Sequence, residues 1–184
     1  MNRNKALSIL FGRIKKKNLI KHMFAAEACM DKLALHFNRD RSSWAMAGLL
    51  HDLDYEDTID DFAKHGSVTR ELLKDKGGLQ EEILDAIEAH VDNMNRRPET
   101  LMEKALFAVD PLTGLIVASV LMHPSKKIKE VSSEFVSKRF NEKRFAAGAN
   151  REQISSCSEF GLELSEFIEL CLNAMQGIHM ELGL

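Results

Sequence analysis

The stretch WAMAGLLHDLDYE (44–56) sets an adjacent His51-Asp52 pair at the end of a run of strong helix formers. Trp44 lies seven residues before His51, and Ala47 and Gly48 fall between them on the same helical face. Side chains that small let a second helix approach the imidazole closely. A His-Asp dipeptide arises often by chance; a helix end with small residues behind it is a more particular setting. Outward from this segment the chain keeps the same character. Only three prolines occur, and long runs of Ala, Leu, Glu, Lys and Met favour helix. No sustained alternation of β-branched and polar residues marks a strand. The pattern predicts helices over about 4–16, 19–37, 43–53, 66–76, 80–92, 100–110, 112–122, 130–145, 151–160 and 164–181. The fold class is therefore all-α.

Several boundaries carry physical markers. Gly77-Gly78 can end the helix over 66–76 by taking left-handed conformations. Thr100 can cap the helix that follows Pro98, and Asn150 with Gln153 resembles a capping box. No repeat, low-complexity tract or long linker interrupts the chain, so residues 1–184 read as one domain. Its core covers about 18–125, and a C-terminal helical extension over about 126–184 packs on it. The apolar helix near the C-terminus could pack within the chain or between subunits, which leaves a homo-oligomer open.

A chain of 184 residues can bury a sizeable core without staples. Its 45% apolar and 29% charged content excludes general disorder, and a net charge of −3 gives no global pull toward nucleic acid or membrane. Cys29, Cys157 and Cys171 form no CxxC pair, which excludes a zinc ribbon or disulfide scaffold and fits a reducing cytoplasm. The short N-terminal apolar run is followed at once by Lys15-Lys16-Lys17 with no small-residue cleavage site, so no targeting signal is predicted. The longest uncharged apolar stretch, 112–122, is short of a membrane span. The expectation is a soluble cytoplasmic protein.

Charge is unevenly placed. Residues 52–61 hold six carboxylates (Asp52, Asp54, Glu56, Asp57, Asp60, Asp61) and no Lys or Arg. Residues 124–151 hold eight basic side chains, Lys143 among them, against three acidic ones. Two solvated faces are the plain reading. The sharper one is an acidic metal-holding segment beside a basic segment that attracts an anionic substrate.

Four predicted helices each turn one polar group where a core should be. His22 shares a face with Leu19, Ala25, Ala26 and Cys29. His51 ends the Trp44 face, His90 extends that of Ile83, Ala86 and Ile87, and Asp110 sits one turn beyond Leu106 and Phe107. Burying one such group without a partner costs on the order of 1–7 kcal/mol. One alone reads best as a hydrogen-bonded core residue. Four together are satisfied more economically by a shared cation, since imidazole and carboxylate suit Mn, Fe, Ni, Co or Zn.

At these residues the chain resembles the HD-domain superfamily of metal-dependent phosphohydrolases. The signature there is a histidine, a His-Asp doublet and a distant aspartate on an α-helical core, matched here by His22, His51-Asp52 and Asp110. KHG (64–66) and EAH (88–90) resemble the two extra histidines of binuclear members. ALFAVDPLTGLIVASVLMHPSKK (105–127) and RFAAGANR (144–151) look like a subgroup of predicted HD hydrolases. One departure stands out. Where many relatives carry His-Asp-Ile-Gly, this chain has His-Asp-Leu-Asp, so Asp54 replaces a glycine.

The resemblance implies an HD-type helical bundle in which His22, His51, Asp52 and Asp110 hold one metal. Asp52 would bridge to a second metal also bound by His65 and His90. One or two ions of Mn, Fe, Ni, Co or Zn, with Mg a further candidate, would activate water to hydrolyse a phosphate mono- or diester of a nucleotide or other small phosphorylated metabolite. Asp54 and Glu56 could relay protons from the bridging water, with surface carboxylates as the default. His65, next to Gly66, could be a plain loop residue. Asp92 and Asn93 could support the ligands from behind or only end a helix. Lys126, Lys127 and Arg151 could contact substrate phosphate as point charges, or simply solvate a surface. His36, His123 and His179 have no partner pattern and read as structural. Three rivals remain: an HD-fold di-iron oxygenase, a non-catalytic metal- or nucleotide-binding module, and nucleic-acid binding through the basic segment. The last is ranked lowest, because no aromatic stacking pattern accompanies the charges.

Overall fold

The helices Lys17–His36 and Arg41–Leu50 cross so closely that glycine is required where they touch. The computed structural model describes residues 1–76, 78–92, 96–142 and 144–184, all-α among them. Gly77, Asn93 and Lys143, named above at a helix end, behind a ligand and in the basic segment, lie outside the described residues. In chain order the helices are α1 (Arg3–Arg13), α2 (Lys17–His36), α3 (Arg41–Leu50), α4 (Tyr55–Thr58), α5 (Ser67–Lys76), α6 (Glu81–Ala89), α7 (Leu101–Met122), α8 (Ser133–Phe140), α9 (Arg151–Ser155), α10 (Leu164–Gly177) and α11 (His179–Leu182).

α2 supplies the apolar spacing Met23, Ala26, Met30 and Leu33, all fully buried. α3 starts at Asp40, whose side chain accepts from the N–H groups of Ser42 and Ser43. It then buries Trp44, Ala47, Leu49 and Leu50 and packs most extensively on α2. A Cβ built on Gly48 would lie 2.6 Å from the carbonyl oxygen of Ala26, so backbone meets backbone there. This is the close approach that the small residues before His51 allow. It brings His22, one turn before Ala26, beside His51, three residues after Gly48.

α7 runs through the middle of the molecule. Thr100 starts it with a full capping box: its hydroxyl accepts from Glu103 N–H, and the Glu103 carboxylate accepts from Thr100 N–H. The sequence predicts two helices that break at Pro111, but α7 continues through it for 22 residues. Proline offers no N–H to the carbonyl of Phe107, four residues back. That carbonyl is instead satisfied by Gln153 Nε2 at 2.7 Å. The 22-residue helix is long and apolar enough to cross a membrane by length and composition, yet more than half of its most apolar window is buried inside the protein.

The C-terminal helices share one apolar cluster with the rest: Val136, Ile154, Phe167, Ile168, Cys171 and Met175 pack with α2 and α7 residues. The three cysteines are free and buried. The predicted helix over 130–145 is shorter, a 3-10 turn (Ile128–Glu130) followed by α8, because the Ser132 hydroxyl accepts from Phe135 N–H and restarts the helix there. The helix over 43–53 stops at Leu50, leaving His51 and Asp52 in a turn. At α9, Asn150 caps Glu152 and Gln153 N–H as expected, but the Gln153 side chain does not return to the cap.

Gly48→Ala should therefore push α3 off α2. Overpacking of this kind costs about 1–3 kcal/mol. At about 2–4 °C per kcal/mol for a chain of this size, thermal denaturation followed by circular dichroism should show a drop of several degrees. An unchanged midpoint would mean the crossing is looser than described.

Candidate metal centre

Asp52 sits in the turn after α3, 4% exposed, with four imidazoles around it. Its Oδ1 is 3.1 Å from His65 Nε2, 3.4 Å from His90 Nε2 and 3.6 Å from His51 Nε2, and its Oδ2 is 3.5 Å from His22 Nε2. His22 and His51 present their Nε2 atoms to each other at 3.1 Å. Asp110 closes the outer side, with Oδ1 3.0 Å from His22 Nε2 and 3.7 Å from His51 Nε2.

All four rings face inward through Nε2 for the same reason: each Nδ1 is held from behind. His51 and His90 are the C-caps of α3 and α6, and their Nδ1–H groups donate to the carbonyls three residues back, Gly48 at 2.8 Å and Ile87 at 2.5 Å. Those last-turn carbonyls have no helical partner of their own. His22 Nδ1–H donates to the Thr113 hydroxyl at 2.8 Å, which itself donates to the carbonyl of Asp110. His65 Nδ1–H donates to Asp54 Oδ1 at 2.7 Å. An Nδ1–H spent on an acceptor leaves Nε2 as the lone-pair donor, the arrangement of metal-ligating histidine.

The residues fit divalent ions. His22, His51 and Asp52 bring ligand atoms within 4.8 Å of one another, and so do Asp52, His65 and His90, with Asp52 common to both groups. His90 Nε2 is buried and makes no hydrogen bond, a deficit that a cation removes. Imidazole nitrogen with carboxylate oxygen is a donor set for first-row transition metals. The electrostatics agree. Burial pushes the Asp52 carboxyl up, but the His51 charge and the facing His65 and His90 imidazoles outweigh it and hold the group well below the usual carboxylate range. Asp110 is likewise held down by His22 and His51 against its burial. Burial would lower His51 and His65, yet the facing carboxylates win, raising His51 and lifting His65 to about 9.

Other residues singled out in the sequence lie elsewhere. Asp54 is fully buried, and beyond His65 its carboxylate accepts from the N–H groups of Gly66 and Thr69 at 2.9 and 2.8 Å. It stands behind the His65 ring, away from Asp52, and orients that imidazole. Its backbone φ of −102° needs no glycine. Glu56 accepts from Lys15 N–H and pairs with Lys16, tying α4 to the α1–α2 link. Lys126 and Lys127 lie past the end of α7; Asp110 to Met122 alone is about 18 Å of helix. Neither lines the cleft that opens over Asp52. The Arg151 guanidinium is spent on the carbonyls of Phe140, Phe145, Ala146 and Ala149, bracing the loop over 144–150. Asp92 is exposed.

A cleft of about 860 Å³ opens onto His22, Asp52, His65 and Asp110. Lys16 and Lys17 stand at its edge, with Tyr55 and Phe62 beside His65 at ring separations of 5.6 and 5.1 Å. The sequence signal for the lysines is the run at 15–17, which charge counting alone does not place. Thr113 and Thr69 carry no local signal.

Two outcomes follow. Below pH 9 an ion must displace the His65 proton, so divalent-ion affinity should rise about tenfold per pH unit per displaced proton between pH 6 and 8. Calorimetric titration in buffers of different ionisation enthalpy reads that release; pH-independent affinity would mean that His65 holds no proton for the ion to displace. Asp54→Asn should weaken one ion by about 10–100-fold, measured in the same titration.

No curated protein and no solved structure matches the chain. The family model for the HD domain matches residues 19–115, just over half of the chain and the whole span from His22 to Asp110. With that span matched, this chain belongs to the HD-domain family.

Proposed function

We propose that the chain is a metal-dependent phosphohydrolase acting on a phosphate mono- or diester of a nucleotide or another small phosphorylated metabolite. The observation that carries this reading is the single buried carboxylate shared by two ligand groups at the floor of a cleft with a cationic edge. One or two divalent ions held there would supply Lewis acidity toward phosphate oxygens and a water of lowered pKa, near 7.

The chain's own groups account for the rest. Asp52, kept ionised, belongs to both ligand groups and fixes their spacing. Asp54, through His65, holds one wall of the centre in place. Lys16 and Lys17 draw an anionic group toward the cleft and offset part of its charge. Phe62, half exposed, and Tyr55 present flat apolar faces next to the centre for the organic part of the substrate. Among the described residues the cationic edge of the cleft is Lys16 and Lys17, at the α2 start.

The test is release of phosphate or alcohol from a panel of phosphate esters and nucleotides. Protein is stripped and reloaded separately with Mn, Fe, Co, Ni and Mg. Turnover should depend on the metal and fall by about 10³-fold or more in Asp52→Ala. Lys16→Ala with Lys17→Ala should raise KM with little change in kcat. No turnover with any metal, from protein shown to bind metal tightly, would sink the hydrolase reading for those substrates. Oxygen consumption by the iron-loaded protein would then be measured.

A further inference from the structure

Gln153 joins the C-terminal helices to both sides of the centre. The Asn150 side chain fixes the first turn of α9, and Arg151 braces the loop before it, so the Gln153 side chain is delivered inward and is 8% exposed. Its Nε2 donates to the carbonyl of His90 at 3.0 Å and to that of Phe107 at 2.7 Å. An amide nitrogen has two hydrogens, and both are used. Among the described residues each acceptor lacks a helical partner: Phe107 because Pro111 has no N–H, and His90 because it lies past the end of α6. His90 carries the unpaired Nε2 facing Asp52, and Phe107 is one turn before Asp110. One carboxamide therefore bridges the two segments that bring ligands to opposite sides of Asp52. Gln153 also lies beyond residue 115, where the match to the HD domain ends.

We propose that Gln153 is a positioning residue of the metal centre, setting the spacing between His90 and Asp110 by clamping the backbone carbonyls of His90 and Phe107. The inference rests on reading the cluster as a metal centre, and it is independent of which reaction the centre performs. The C-terminal extension is then a working part of the centre.

Gln176 provides an internal control. Its Nε2 also donates to two carbonyls, those of Ile128 and Val131, in a part of the fold that carries no candidate ligand. Metal-stripped full-length protein is titrated calorimetrically with Mn²⁺, as wild type, Gln153→Met and Gln176→Ala, with thermal midpoints recorded alongside. Both variants should melt lower, but only Gln153→Met should bind Mn²⁺ more weakly, by about 10–100-fold for at least one ion. The same titration in Pro111→Ala/Gln153→Met, where the restored N–H can serve the Phe107 carbonyl, should recover the midpoint and leave Mn²⁺ binding weak. It also covers failure of the single variant to fold. Wild-type affinity in Gln153→Met, equal weakening in Gln176→Ala, or recovery of affinity together with the midpoint in the double variant would each overturn the positioning role while leaving the metal centre intact. Absence of Mn²⁺ binding by the wild type would remove the centre and this inference with it.

Discussion

A buried carboxylate is expensive unless positive charge or hydrogen bonds meet it, and Asp52 is met by four imidazoles at once. Most of the architecture around it serves that requirement. α3 must stop at Leu50 so that Asp52 can turn inward; α2 must lie against α3 closely enough for His22 to reach His51; α6 must end at His90; and α7 must carry Asp110 past a proline. Each demand is local, and each is met by a local device. If any fails, a charge is left in the interior without its counter-group.

The commonest device is the helix C-terminus. The last carbonyls of a helix lack N–H partners and must find others. At α3 and at α6 the next residue is histidine, and its Nδ1–H returns to the carbonyl three residues back. The same bond caps the helix, selects the tautomer and aims Nε2 at Asp52. His22 arises differently, from mid-helix, and borrows the Thr113 hydroxyl of α7 for the same purpose. Ligand geometry here is largely a by-product of satisfying backbone polar groups, which is why helix ends crowd around the centre.

That account separates what the sequence reveals from what it hides. His22, His51, His90 and Asp110 are legible because each interrupts an apolar helical face, Asp52 is legible as the neighbour of His51, and the resemblance to HD domains adds His65 and the ligand role of His90. Lys126, Lys127 and Arg151 were assigned by charge alone, and charge does not report distance: the first two lie beyond the α7 end, and the third is consumed by four carbonyls. The break expected at Pro111 failed for a related reason. Proline forecasts a missing hydrogen bond correctly, but the replacement donor, Gln153, is 42 residues away in sequence, and no local pattern announces it. The turn chemistry between Leu53 and Gly66 was hidden likewise, since it depends on Asp54 meeting Thr69 and Gly66 in space.

Asp54 shows how a departure from a familiar motif can be absorbed. A glycine at that position would leave backbone freedom that the observed φ of −102° does not use. The carboxylate instead takes three hydrogen bonds, from His65 Nδ1–H and from the N–H groups of Gly66 and Thr69. These hold its pKa low despite burial. An ionised acceptor behind an imidazole makes the opposite nitrogen a stronger donor to a cation than a neutral carbonyl would. His65 has such support, whereas His51 and His90 rely on backbone carbonyls and His22 on a hydroxyl. The two ligand groups around Asp52 are consequently unequal in electron supply, and the more strongly supported one contains the histidine nearest to Asp52.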